Sequence, residues 1–215
     1  MRLVKVGAAV LNQTPFDWDK NKQNIIDSIA AARSQGVSIL CLPELCLTGY
    51  GCEDDFFRTE MQKRAWSELN QIAQESRGMI VSFGLPVFFA NSLFNCSVLI
   101  ADGKIVGISP KKSLAGDGIH YEPRWFEAWK EDLCIEADIY GTKLPMGDFN
   151  YDISGIKIGF EICEEAWVGL RPGGKLSARA VDIILNPSAS HFSFRKIETR
   201  KQLVLEGSRA FGGTY

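Results

Sequence analysis

Three times in this chain a strand-sized apolar run stops abruptly on a charged or reactive side chain. Leu40-Cys41-Leu42-Pro43 ends at Glu44, Ile108-Ser109-Pro110 ends at Lys111, and Ile158-Gly159-Phe160-Glu161-Ile162 ends at Cys163. Runs of this length, separated by helical patterns, favour strands of an α/β fold, and strand ends in such folds carry ligand and catalytic groups. The longest apolar runs, 37–43 and 79–85, are far shorter than the roughly 20 residues a membrane helix needs. The amino terminus lacks the long apolar stretch and small-residue cleavage site of a signal peptide, so a cytoplasmic protein with no membrane partner is expected.

The alternation of patterns predicts a single α/β domain over residues 1–215, long enough to bury a core without disulfide or metal staples. Strands are expected over 3–10, 37–42, 79–85, 94–101, 104–109, 156–162 and 181–185. Helices are expected over 18–34, 60–77 and 194–209, with a short one at 176–180. In the first, Ile25, Ile26, Ile29 and Ala30 share a face, Asp17 or Asp19 caps the start, and Gly36 ends it. Asp102-Gly103 marks a hairpin turn. Residues 115–150 lack a clear period and read as a surface excursion with a short helix, and 212–215 begins what could be another strand. Two strand-rich stretches between helices suggest a sheet packed on a sheet with helices outside. Periodicity alone equally permits a doubly wound single sheet.

Charge and cysteine content narrow the partners. With 24 basic and 26 acidic side chains the chain has no overall basic footprint for nucleic acid. Six cysteines are scattered without a CxxC pair and only two histidines are present, so neither a zinc site nor a disulfide framework is expected.

Each strand-end residue has a chemical and a bland reading. Glu44 interrupts an apolar stretch, as a general base with a raised pKa or as a carboxylate capping backbone. Lys111 or Lys112 could stabilise an oxyanion, or both could be solvated loop lysines. Cys163 is a candidate nucleophile before an acidic turn, or an ordinary buried thiol. A Cys–His pair would have to draw on His120 or His191 through the fold. Asn186-Pro187-Ser188-Ala189-Ser190-His191 offers hydroxyl and amide groups at a further strand end. Arg195 or Lys196 could pair with a substrate carboxylate, and Glu122 adds a carboxylate in the irregular middle.

Together these segments resemble the nitrilase, or carbon–nitrogen hydrolase, superfamily, which is recognised by a Glu, a Lys and a Cys in this order. The Glu motif is Pro43-Glu44-Leu45, the Lys motif Pro110-Lys111-Lys112-Ser113-Leu114, and the nucleophile motif Glu161-Ile162-Cys163-Glu164-Glu165-Ala166-Trp167. Gly49-Tyr50-Gly51-Cys52-Glu53-Asp54, Glu122-Pro123-Arg124-Trp125-Phe126 and the 186–191 segment are similar to the amino-terminal glutaminase domains of glutamine-dependent NAD+ synthetases, in their eukaryote-type branch.

The resemblance implies a four-layer α-β-β-α sandwich of the nitrilase type, incomplete at the carboxy terminus, with no synthetase domain in this chain. It implies a triad of Glu44, Lys111 and Cys163, with Leu114 anchoring the choice of Lys111, and Glu122 as a second glutamate beside the lysine. Ser190 and Lys196 fall on the family's glutamine-binding serine and basic residue. Tyr50, Glu164 and Trp167 join them in the expected substrate site. Asp117 stands where many bacterial members carry a glutamine-contacting tyrosine, and Tyr121 is the candidate substitute. The implied partners are glutamine, a synthetase domain of the same enzyme and further copies of the chain. No cofactor is expected in this domain, ATP and deamido-NAD+ belonging to the synthetase domain. A stand-alone ω-amidase or carbamoylase, or a non-catalytic interaction module, are the alternatives.

Overall fold

The computed structural model describes residues 3–215. Its first half winds three parallel strands, β1 (Val6–Ala8), β2 (Ile39–Cys41) and β3 (Ile80–Phe89), around two helices. Helix α1 (Trp18–Ser34) starts where the Asp17 carboxylate accepts the Lys20 N–H at 3.3 Å, which decides between the two expected caps. It buries Ile25 and Ile29 on one face. Helix α2 (Thr59–Ala73) buries Ala65, Trp66, Leu69, Ile72 and Ala73 at helical spacing.

The sheet then continues antiparallel through β4 (Ser92–Ala101) and β5 (Lys104–Pro110). The excursion expected at 115–150 holds more order than its sequence suggested. After a single helical turn, α3 (Glu122–Trp125), it forms a hairpin of β6 (Cys134–Ile139) and β7 (Thr142–Gly147). Strand β7 joins β5 in parallel, giving a seven-stranded sheet in the order β1-β2-β3-β4-β5-β7-β6. The hairpin turns on Tyr140, at φ +49°, and Gly141, at φ +83°, and of these only the lone glycine carries a turn signal. The β3–β4 turn, with Ala90 and Asn91 both at positive φ, was missed although Asn91 is a residue that tolerates this region.

A second sheet of three strands follows, β8 (Tyr151–Ile153), β9 (Ile156–Phe160) and β10 (Ile183–Leu185), in the order β10-β9-β8. Helices α4 (Pro172–Ala178) and α5 (Lys196–Phe211) come before and after β10. Thr214 bridges to Ile183 in parallel, where a further strand was expected.

Strand alternation fixes the layers. Val81, Phe83 and Leu85 of β3 turn toward α1 and α2. Ile39, Leu99, Ile158, Phe160, Ile183 and Leu185 fill the space between the two sheets. Ile184, on the opposite face of β10, packs with Leu176 of α4 and against Phe211 of α5. The result is helix, sheet, sheet, helix, the sandwich expected above rather than a single doubly wound sheet.

One glycine sets how closely the Glu44 loop can lie on the sheet. A Cβ on Gly84 of β3 would stand 2.3 Å from the Leu45 nitrogen and 2.6 Å from the Pro43 carbonyl oxygen. Both are backbone atoms and neither can swing aside. Gly84→Ala is expected to destabilise the protein by about 1–3 kcal/mol through overpacking and to displace Glu44. Urea denaturation with the unchanged protein as reference measures it, and an unaltered midpoint would contradict the close approach.

Candidate active site

The loops after β2, β5, β9 and β10 converge at one end of the sandwich. The centre is Lys111, which is completely buried. Its Nζ donates to Glu44 Oε1 at 2.6 Å and to Glu122 Oε1 at 2.8 Å, and both carboxylates are shielded from water. Burial alone would lower the lysine pKa, but Glu44, Cys163 and Glu122 outweigh it and raise it, so the ammonium persists.

Every carboxylate oxygen of the pair has a donor. Glu44 Oε1 also accepts Asn95 Nδ2 at 2.8 Å, and Oε2 accepts the Ala189 N–H at 3.1 Å. Glu122 Oε2 accepts the Ala115 N–H at 2.9 Å, and Oε1 accepts the Tyr50 hydroxyl at 2.6 Å. Burial and then the Glu122 charge push the Tyr50 phenol far up, so it stays a donor.

Cys163 follows β9 and opens a 3-10 turn, Cys163–Ala166, with its own φ at +46°. A non-glycine residue in this region is strained by roughly 1–3 kcal/mol. The Cys163 N–H donates to the Pro187 carbonyl at 3.0 Å, which ties the elbow to the loop after β10. The Glu164 N–H lies in the first turn of this element, where backbone donors lack a helical acceptor. Burial, and next the nearby Glu44 charge, push the Cys163 thiol up to about 12, although Lys111 and the Ala189 N–H pull the other way. The resting thiol is therefore protonated at neutral pH.

The remaining expected residues divide. Tyr50 joins the cluster through Glu122. Glu164 is half-buried and its carboxyl is raised, by burial first and then by Asp117. Ser190 lines a cleft of about 400 Å³ together with Glu44, Tyr50 and Arg200. Lys196, at the start of α5, sits with its Nζ 3.4 Å from His191 Nδ1. Trp167 ends the 3-10 turn and is 40% exposed. Tyr121 is 61% exposed, stacks edge-on against Trp125 and makes no hydrogen bond to the charged cluster. No histidine pairs with Cys163. His120 and His191 contact each other instead, at 3.0 Å, and His120 reaches the Tyr50 hydroxyl. Lys112 turns away to Asp148, 3.2 Å distant.

Sequence reasoning missed Asn95, which orients Glu44 from the middle of β4. Its signal was an amide inside the otherwise apolar run Leu93-Phe94-Asn95-Cys96. The backbone donors of Ala115 and Ala189 carry no side-chain signal at all. Among the described residues no group of three or more His, Cys, Asp or Glu side chains converges as a metal site, and no helix is long and apolar enough to cross a membrane.

The sequence matches the carbon–nitrogen hydrolase family over residues 5–215. The chain belongs to that family. Among solved structures, this carbon–nitrogen hydrolase domain resembles a glutamine-dependent NAD(+) synthetase from Cytophaga hutchinsonii, with a TM-score of 0.90 and 41% identity, over 98% of this chain and 34% of that one. An amidase from Nesterenkonia sp. shares the fold, with a TM-score of 0.76 and 19% identity, over 98% of this chain and 73% of its own. The glutamine-dependent NAD(+) synthetase of Oryza sativa subsp. indica is 36% identical over 226 residues, covering 100% of this chain and 31% of the relative. That of Saccharomyces cerevisiae is 35% identical over 224 residues, covering 99% and 31%. This carbon–nitrogen hydrolase domain thus spans about a third of the length of the curated relatives it matches.

Two measurements check the electrostatics. Lys111→Met leaves two buried carboxylates face to face and is expected to destabilise the fold by about 3–5 kcal/mol. Adding Glu122→Gln should recover part of that loss in chemical denaturation. No recovery would mean that the carboxylates are not coupled through the lysine. For the thiol, the rate of Cys163 alkylation by iodoacetamide should still be rising above the ordinary thiol value of 9.0. Because the folded value exceeds the unfolded one, the protonated thiol stabilises the fold below about pH 9 and this contribution fades toward pH 12. A plateau in the alkylation rate by neutral pH, read by peptide mapping, would contradict it.

Proposed function

We propose that this domain hydrolyses the side-chain amide of glutamine, with Cys163 as nucleophile, Glu44 as general base and acid, and Lys111 as the cation at the reacting carbonyl. The observation that carries this reading is the buried ion cluster in which Lys111 lies between Glu44 and Glu122 while Cys163 adjoins Glu44. A thiol held near 12 is not a standing thiolate, so its proton must leave as the sulfur attacks, and Glu44 is the acceptor in reach. The new C–S bond makes a tetrahedral oxyanion, held by the Lys111 ammonium and the Glu164 N–H. Glu44 returns the proton to the amide nitrogen, the C–N bond breaks and ammonia leaves a thioester. Glu44 then takes a proton from water, which attacks the thioester and frees glutamate, and the thiol is restored. Glu122 keeps Lys111 charged and aimed, since its second oxygen is fixed on the Ala115 N–H.

Ser190 and Lys196 are proposed to meet the α-carboxylate of the substrate, with Tyr50, Glu164 and Trp167 around the rest of it. Tyr121 would have to rotate inward to take part, because its ring lies against Trp125. The relatives' names support glutamine as the amide donor. Their greater length and the word synthetase in their names support a further, synthetase part. The proposal extends to that part: ammonia passes to it and amidates deamido-NAD+ using ATP, in an oligomeric cytoplasmic enzyme.

Intact-mass spectrometry after incubation with a glutamine-like chloro ketone tests the reading. A single adduct at Cys163, suppressed by excess glutamine and absent from Cys163→Ala, is expected. Cys163→Ala should also lose about four orders of magnitude or more in kcat. An adduct that glutamine does not suppress, with turnover of simple amides, would replace glutaminase by a stand-alone amidase. No adduct on a folded chain would favour a non-catalytic module.

A further inference from the structure

Lys111 and Cys163 leave different sheets, and sheets stacked face to face share no backbone hydrogen bonds. Lys111 follows β5 of the seven-stranded sheet, which touches β7 on its outer side through a single registered pair, Ile108 with Met146. Cys163 follows β9 of the three-stranded sheet. Side-chain packing alone would leave the two strand ends free to slide, while the chemistry needs their relation fixed to a fraction of an ångström.

One side chain spans the gap from backbone to backbone. Glu165 is 1% exposed. Its Oε2 accepts the Ile162 N–H at 2.6 Å, directly before the cysteine. Its Oε1 accepts the Lys112 N–H at 2.6 Å, directly after the lysine, 53 residues away in sequence. A glutamate that merely caps its own turn needs only the first of these bonds. The second reaches across the sandwich. A matching tie runs the other way, from Glu44 of the large sheet to the Ala189 N–H beyond β10. Glu44 is taken up by the reaction and Glu165 is not.

We infer that Glu165 is a positioning residue, a carboxylate strut that sets the distance between the Lys111 ammonium and the Cys163 sulfur by bonding the backbone beside each. The inference deepens the proposed hydrolase reading and rests on it for its kinetic effect, but its geometric effect can be read without any substrate. The charged groups around the strut are Lys112 (Nζ 3.9 Å from Glu165 Oε1) and, beyond it, Asp148 and Arg179. Those facing Cys163 are Glu44 and Lys111.

Glu165→Gln keeps the size but turns an NH2 toward one of the two N–H donors, and Glu165→Asp is too short to hold both. The test follows hydrogen exchange of the Ile162 and Lys112 amides, the two donors the strut holds, together with kcat and KM for glutamine. Loosening the strut should speed exchange at Lys112 in Glu165→Gln by about tenfold or more, the scale of a lost charge-assisted hydrogen bond, while core amides elsewhere in the two sheets keep their protection. A general loss of stability would speed all core amides alike, so the pattern separates positioning from a merely structural role. In addition, kcat should fall about 100-fold, the scale of a 1 Å misplacement, with KM changed less than about threefold because the residue does not touch substrate. If Glu165→Gln does not fold, Glu165→Asp carries the same test, with faster Lys112 exchange and a kcat loss of about tenfold or more. Unchanged exchange at Lys112, or an unchanged kcat, in a folded variant would overturn the strut. Faster local exchange in a protein whose unaltered form does not hydrolyse glutamine would uphold the strut and remove the glutaminase reading instead.

Discussion

An ammonium group shut away from water persists only among opposite charges, and Lys111 has two of them. Taking three ions out of solvent costs several kcal/mol for each, and their attraction offsets this only when the geometry is tight and every remaining lone pair is satisfied. The loops meet that condition one bond at a time. Asn95 and the Ala189 N–H complete Glu44, while Tyr50 and the Ala115 N–H complete Glu122. Six residues besides the lysine are thereby committed to positions that it dictates. Gly84 belongs to the same requirement, because the backbone on either side of Glu44 can reach the lysine only by lying flat on β3.

The same cluster resolves an apparent contradiction in the thiol. A nucleophile is usually activated by lowering its pKa, yet Cys163 is pushed up. Burial and the adjacent Glu44 charge are the cause, and they are also what place a carboxylate against the sulfur. In the proposed reaction the arrangement trades a standing thiolate for a coupled proton transfer. In that reaction Lys111 is kept for the carbonyl oxygen, where charge develops only as the bond forms, while Glu122 holds its charge.

Much of this was legible in the sequence. The strands that alternate apolar side chains between two buried faces, such as 80–85 and 183–185, announce themselves by composition. The three strand-end residues stood out because each ends a run that burial requires to be apolar. What stayed hidden depends on backbone. Of the two left-handed residues on which the β6–β7 hairpin turns, Gly141 gives a sequence signal and Tyr140 gives none. The fates of Lys111 and Lys112 could not be separated by residue type. Consecutive side chains leave a strand on opposite faces, so one points into the ion cluster and the other toward Asp148. Tyr121 and Tyr50 were both expected at the substrate, and Tyr50 is the phenol that the fold delivers to Glu122.

The contacts that make the site are also the longest reaches of the chain. Glu44 and Lys111 are 67 residues apart, and Glu44 and Ala189 are 145 apart. Pairings of that separation close large loops before any gain is felt, which slows folding. Until they form, Cys163 has neither Glu44 nor Lys111 beside it and keeps the ordinary thiol value of 9.0. An unfolded or locally opened chain thus carries more thiolate at a given pH than the closed site does. Closing the pocket quiets the sulfur toward general electrophiles, and in the proposed reaction it reserves attack for a substrate that arrives where Glu44 can take the proton.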